Sequence, residues 1–257
     1  MHVVDDMVGV TQLDDVVYIV CRGSSIILRF STTTHRQLTD INVKDLRSPW
    51  DIAACEQTSQ LYVADDLECV RRVSSDAEDI KHWLPTSSLD RFKPWSQSVT
   101  SSRLLVTSRD PNQLIQCDAC GDELRHVCLP DYMEPFHAVE SPTGTFIVSH
   151  RNTQLNQWQV SEVNTEGRVL RHFSGSRLIP LGYAPHIAVD SQGNIFVADW
   201  DKSRILLLDA RLSLRRVIID EHQLNYEQPQ RLCYMEQSGQ LLVVFDMSIA
   251  VFNVLCR

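Results

Sequence analysis

Residues 185–210 read PHIAVDSQGNIFVADWDKSRILLLDA. Three apolar runs fall within this stretch, separated by SQGN and DWDKSR. An amphipathic helix needs apolar residues at a period of 3.6, and this arrangement has none. Each run has the length of a strand and is bounded by turn-forming residues. The stretch is therefore a piece of sheet, and what decides the fold is whether it recurs.

It does. Aligned on Pro185, PHIAVDSQGNIFVAD is matched closely by PWDIAACEQTSQLYVAD from Pro49. Weaker matches are PFHAVESPTGTFIVSH from Pro135, PWSQSVTSSRLLVTS from Pro94 and PQRLCYMEQSGQLLVVF from Pro229. A sixth copy without the proline is MVGVTQLDDVVYIVC, residues 7–21. The second half of the unit repeats as well. VSSDAEDIKHWL (73–84), CDACGDELRHVC (117–128) and VNTEGRVLRHFS (163–174) align without gaps, and LDARLSLRRVI (208–218) with one deletion. Each unit holds four short strands, which is the arithmetic of a propeller blade. Runs such as IFVAD and LYVAD are apolar throughout, as suits strands buried on both faces. The expected fold is all-β: a single domain over 1–257, a six-bladed β-propeller of four-stranded antiparallel blades. The last unit shows only three strands, so the N-terminal HVV at 2–4 is expected to supply its fourth and close the last blade.

Bulk composition bounds the function. Of 257 residues, 43% are hydrophobic and 22% charged, ordinary values for a soluble globular chain. No apolar stretch is long enough to span a bilayer, and MHVVDDMVGV has no signal-peptide pattern. The net charge of −9 argues against a protein that coats nucleic acid with its whole surface. Eight cysteines without a secretory signal read as reduced thiols, so a cytoplasmic location with no membrane association is expected.

The chain resembles the NHL repeat, whose pattern P-x-x-I-A-V-D-x-x-G-N-I-Y-V-A-D, followed by a strand ending in D-x-x-G-x-x-L-R, is most nearly matched at 185–199 and 164–171. That resemblance implies a six-bladed propeller. It also implies the binding of proteins or RNA, as in the C-terminal propellers of tripartite-motif ubiquitin ligases, and it extends to a propeller lyase. No RING or B-box cysteine pattern is present, so the chain reads as a propeller alone or as part of a larger protein. The Asp that closes the second strand in this pattern survives as Asp65 and Asp199; Cys21, Ser108, His150 and Phe245 replace it elsewhere. The resemblance implies that its role is to hold the following turn.

Enzyme signatures are weak. Cys117-x-x-Cys120 lacks the second pair of a zinc site, and its repeat equivalents are Val163 and Glu166. His82, His126 and His172 occupy one repeat position on the outermost strand, so they belong to different blades and cannot share a metal. No G-x-S-x-G, H-E-x-x-H or phosphate loop occurs. The first-strand positions expected nearest a channel read Val8, Ile52, Gln97, His137, Ile187 and Leu232, a poor set for metal chemistry. No catalytic residue, metal or cofactor is expected, although a lyase or lactonase is the third option.

In a blade, the loop leading into strand one and the loop joining strands two and three share an end. Residues following the anchor prolines are Trp50, Trp95, Phe136, His186 and Gln230; those just past the second strand are Arg22, Asp66, Arg109, Arg151, Trp200 and Asp246. Trp and Arg dominate protein hot spots, and they also stack on bases and pair with phosphates. The expected partner-binding set is Trp50, Trp95, Phe136, His186, Trp200, Arg22, Arg109 and Arg151, on a monomeric binding module. Its ligand is a protein or extended peptide with acidic groups; the alternative is single-stranded RNA. Trp50, Trp95 and Phe136 are also open to a role plugging seams between blades.

Overall fold

A computed structural model describes residues 6–34, 36–65, 69–76, 79–85, 93–184 and 186–254, without the side chains of 82, 84 and 85. The 2–4 segment expected to close the last blade, Asp66 and Pro185 lie outside the described residues. The chain divides into two compact units, 1–126 and 127–257.

The first unit carries three antiparallel sheets. Sheet one runs β1 (Met7–Leu13), β2 (Val16–Cys21), β3 (Ile26–Ser31) and β4 (Ile41–Asn42). Sheet two runs β5 (Pro49–Cys55), β6 (Gln60–Asp65), β7 (Cys69–Ser74) and β8 (Ile80–Pro85). Sheet three runs β9 (Pro94–Thr100), β10 (Arg103–Arg109), β11 (Asn112–Cys117) and β12 (Glu123–Cys128). The second unit carries β13 (Met133–Glu140), β14 (Phe146–Asn152), β15 (Gln157–Val163) and β16 (Val169–Phe173). Then come β17 (His186–Val189), β18 (Ile195–Asp199), β19 (Arg204–Leu208) and β20 (Leu214–Ile219). The last sheet has three strands among the described residues: β21 (Arg231–Met235), β22 (Gln240–Val244) and β23 (Ile249–Asn253). These are the six blades expected from the repeat.

The absence of alternation in the second strands has a direct cause. In β18, Ile195 and Val197 pack into a core with Ile147 and Val160 of the preceding blade. Phe196 and Ala198 pack into another with Leu241 and Val243 of the following blade. The period-2 geometry of a strand sends successive side chains to opposite faces, and here both faces are interior. β6 repeats this: Leu61 and Val63 join Tyr18 and Val20, while Tyr62 joins Leu104 and Val106.

The hairpins that lead into the fourth strands of blades three, four and five share one turn. The side-chain oxygen of Asp118 accepts from the N–H groups of Cys120 (2.8 Å) and Asp122 (3.0 Å). Asn164 does the same for Glu166 and Arg168, and Asp209 for Arg211 and Ser213. The turn needs a left-handed residue three positions on, which Gly121 and Gly167 supply without strain. Leu212 fills that position at φ 61 in the copy with the deletion.

The two surviving strand-closing carboxylates bond the lead-in loops of their blades rather than the turn that follows them. Asp65 accepts from the N–H of Ser48 (3.0 Å) and from Arg71 Nε (3.1 Å), and Arg71 Nη2 donates to Asp45 O (2.7 Å). Asp199 accepts from Gly182 N–H (3.0 Å) and Arg204 Nε (2.7 Å), and Arg204 Nη2 donates to Pro180 O (2.6 Å). In each case a carboxylate and a guanidinium tie the lead-in loop of a blade to its second and third strands.

Candidate partner-binding site

The first strands carry a feature that the repeat alignment does not show. Opposite the residue just before each strand-closing position (Val20, Ala64, Thr107, Ser149, Ala198 and Val244) sit Gly9, Asp51, Ser96, His137, His186 and Arg231. Ile52, Gln97, Ile187 and Leu232 of the expected series share the next register position, with Val10 and Ala138 rather than Val8 and His137. The first strands of blades one to four each carry a β-bulge. The extra residue is Val8, Trp50, Trp95 and Phe136 in turn. A bulged residue is left out of the ladder and its side chain is re-aimed. In blade five His186 is opposite Ala198 as His137 is opposite Ser149, so His186 takes the register position of His137 rather than that of Phe136.

His186 is accordingly buried, only 6% exposed, and stacks on His137 with ring centroids 3.8 Å apart. Its Nδ1 accepts the N–H of Leu232 at 3.3 Å, and burial holds its pKa well below the usual imidazole value. Asp51 has the same role in the first unit, where a carboxylate oxygen accepts the N–H of Gln97 at 2.8 Å. A first strand pairs on one side only, so these outward N–H groups need a partner, and a side chain of the preceding blade provides it. At Gly9 a Cβ would come within 2.7 Å of Ile52 N, so there the neighbouring backbone itself fills the space.

The bulged aromatics of the first unit are brought together with two of the expected arginines. Trp50 and Trp95 stack at 4.6 Å and 27°. The Arg22 guanidinium lies 4.3 Å from the Trp50 ring centroid, and that of Arg109 lies 3.7 Å from Trp95. Each indole is thus in contact with one guanidinium and with the other indole. The result is a four-member row: Arg22, Trp50, Trp95, Arg109. Both tryptophans are part-exposed, and Arg22 is exposed with a 3.6 Å contact to Asp6.

In the second unit, Phe136 is buried and belongs to a different cluster. Tyr183 meets Phe136, Trp158 and Trp200 edge-to-face, at 5.5, 4.5 and 5.6 Å. Trp200 opens a short 3-10 turn, and its N–H donates to Tyr183 O at 2.8 Å. Arg151 is exposed, bonds Asn156 Oδ1 at 2.7 Å, and sits across the hairpin from Trp158. Trp158 and Tyr183 were missed because only the residue after each proline and after each second strand was considered. Trp158, the second residue of β15, shares that end of the blade, and its pairing with Arg151 was the available signal.

Other candidates resolve into structure. Cys117 is buried, and burial, then Glu123, pushes its thiol up to about 12; Cys120 is exposed in the turn. His82, His126 and His172 lie on the fourth strands of three different sheets. His150, at a strand-closing position, is buried and bonded to Ser161 Oγ at 2.8 Å. Burial, with a smaller contribution from His172, lowers its pKa from 6.5 to about 4. The unfolded chain therefore takes up this proton first as the pH falls. The stabilisation is complete above pH 6.5 and is lost between about 6.5 and 4, worth ~3 kcal/mol. His186 acts in the same direction. Asp199, raised to about 6 mainly by burial, acts in the opposite one. Thermal melts at pH 7 and pH 5 should show a clear acid loss that shrinks in His150→Leu. Equal losses in both proteins would contradict this.

No protein-family model and no curated protein matches the chain. Many solved structures do. Hydrazine synthase of Kuenenia stuttgartiensis aligns at TM-score 0.69 and 12% identity, covering 98% of this chain and 97% of that one. Virginiamycin B lyase of Staphylococcus aureus aligns at 0.69 and 13%, covering 97% and 80%. The WD40 propeller domain of Doa1 aligns at 0.64 and 13%, covering 96% and 92%. These neighbours include enzymes as well as a WD40 domain, and at such identities the likeness shows the fold alone. The chain is a six-bladed β-propeller.

Proposed function

We propose that this propeller is a non-enzymatic binding module of NHL type that recognises a protein partner at the ends of its blades. The row Arg22–Trp50–Trp95–Arg109 carries the reading. Tryptophan and arginine are the residues that anchor protein interfaces, and stacking holds these guanidinium groups in fixed orientations before a ligand arrives. Part-exposed Trp158, Tyr183 and Trp200 give the second unit an aromatic group of its own. RNA is the less favoured ligand for a specific reason. Single strands bind by laying bases on open aromatic faces, whereas Trp50 and Trp95 are already engaged with each other and with Arg22 and Arg109.

The test is affinity capture from lysate with tagged wild type and a Trp200→Ala, Arg109→Ala double variant, each with and without RNase. Proteins retained after RNase and lost from the variant are expected, with circular dichroism unchanged. Capture that is identical in the variant, or that disappears with RNase, would overturn the reading.

A further inference from the structure

We infer that the end of blade six (β21–β23) is a second docking surface, for a partner segment that sets a large apolar side chain among lysines or arginines. It lies within the second unit and shares no residue with the Arg22–Trp50–Trp95–Arg109 row, so the two surfaces are tested separately.

Two loops build it: 220–230, which leads into β21, and 245–248, which joins β22 to β23. They present Tyr226 and Met247, exposed by 64% and 68% and among the most exposed large hydrophobic side chains of the described residues. The position of Tyr226 is enforced. Leu224 is buried and anchors its loop. The N–H of Tyr226 donates to Glu221 O at 2.8 Å, and that of Glu227 to Leu224 O at 2.9 Å. Asp220 and Gln223 bond each other's N–H through their side chains, at 3.0 and 3.1 Å. The Tyr226 hydroxyl bonds His222 Nδ1 at 2.9 Å. Asn225 and Tyr226 both hold left-handed backbones, φ 50 and 62, a conformation that a bulky side chain rarely adopts. The loop thus accepts backbone strain to hold outward a ring that the core does not use, and such strain concentrates where ligands are clamped.

The two loops form one continuous surface. Phe245 is buried beneath the Met247 turn, and its N–H donates to Ser248 O at 2.9 Å. Ser248 Oγ donates to the Glu227 carboxylate at 2.7 Å, and the Gln230 amide donates to Asp246. Ser203 Oγ donates to Tyr226 O at 3.1 Å, which joins the turn after β18 to the same surface.

Charge selects the occupant. Segments 220–230 and 245–248 contain Asp220, Glu221, Glu227 and Asp246 and no Lys or Arg. Lys202, on the adjoining turn, is paired with Asp201 at 3.7 Å. Apolar anchors rimmed by carboxylates are complemented by an apolar anchor rimmed by cations, and an acidic segment is repelled. An exposed tyrosine ring also attracts an ammonium or guanidinium over its face, and a methionine side chain adapts to irregular apolar partners.

Fluorescein-labelled peptides of one length, carrying Leu among Lys, Ser among Lys or Leu among Glu, are measured by anisotropy against the full chain. The variants are Tyr226→Ser with Met247→Ser, and Glu221→Gln with Glu227→Gln, which keeps an acceptor for Ser248. A third, Asp14→Asn with Asp15→Asn, removes the same charge from the turn between β1 and β2. Circular dichroism checks each fold. The Leu–Lys peptide should bind best, and each of the first two variants should weaken it about tenfold. The third should change it less than about twofold, because a distant exposed charge is screened. Equal affinity for the Leu–Lys and Ser–Lys peptides, or equal losses in the two charge variants, would overturn the inference and leave only attraction to a chain of net charge −9. Phosphatidylcholine–phosphatidylserine vesicles and sedimentation of the chain alone test other occupants. Vesicle binding or self-association abolished by Tyr226→Ser with Met247→Ser would assign the surface to lipid or to a second copy, and would overturn it as well.

Discussion

Val197→Asp protein is expected not to fold. Val197 is fully buried in the middle of β18 and packs against Leu206, Ile147 and Val160 in the core between two blades. Substitution removes its apolar contacts and places a carboxylate where no described cation lies in the same cluster. An isolated buried charge costs several kcal/mol even after it takes up a proton. A loss above ~4 kcal/mol is a large part of the stability of an ordinary domain. The expected result is aggregated or protease-sensitive protein. Val197→Ala, which leaves only a cavity, should fold with a loss of ~1–3 kcal/mol. Soluble Val197→Asp protein with a native spectrum would mean that β18 is not an interior strand.

Asp65→Ala should cost ~3–5 kcal/mol, the second large effect. Asp65 is fully buried and the Arg71 side chain only 4% exposed, so removing the carboxylate strands a guanidinium in the interior. It also frees the Ser48 N–H. The paired replacement Asp65→Leu, Arg71→Met should recover much of the loss, because no charge is then left buried. Denaturant melts of the single and double variants measure this directly. A single-variant loss below ~1 kcal/mol would contradict the buried pair. The effect reaches the proposed site, since the loop held by Asp65 leads into Trp50. Asp65→Ala protein that still folds is expected to bind ligand poorly although it keeps all four members of the row.

The repeat was legible because the blades reuse the same devices: two apolar runs in every copy, an anchor proline in five, and an Asx turn before the fourth strand in three. Six strand sets and their order followed from spacing alone. The structural role of the two strand-closing aspartates was legible, although Asp65 and Asp199 bond the lead-in loops at Ser48 and Gly182 rather than the turn that follows them. The bulges were not. A bulge changes which side chain occupies a register position without changing the residues around it, so Trp50, Trp95 and Phe136 looked equivalent to His186. Only strand pairing shows that His186 matches His137. Stacking was also invisible. That Arg22 would meet Trp50, and Arg109 Trp95, depends on the approach of adjacent blades within one unit. Arg151 and Phe136 fell in the other unit, with Trp158 and Tyr183.

The most direct measurement is hydrogen–deuterium exchange of the propeller with and without its captured protein partner. The account predicts protection concentrated in the blade-end segments around residues 22–25, 45–50, 93–95 and 109–112, with little change on the fourth strands. Protection confined to the outer strands β12, β16 and β20, with those segments unchanged, would contradict it.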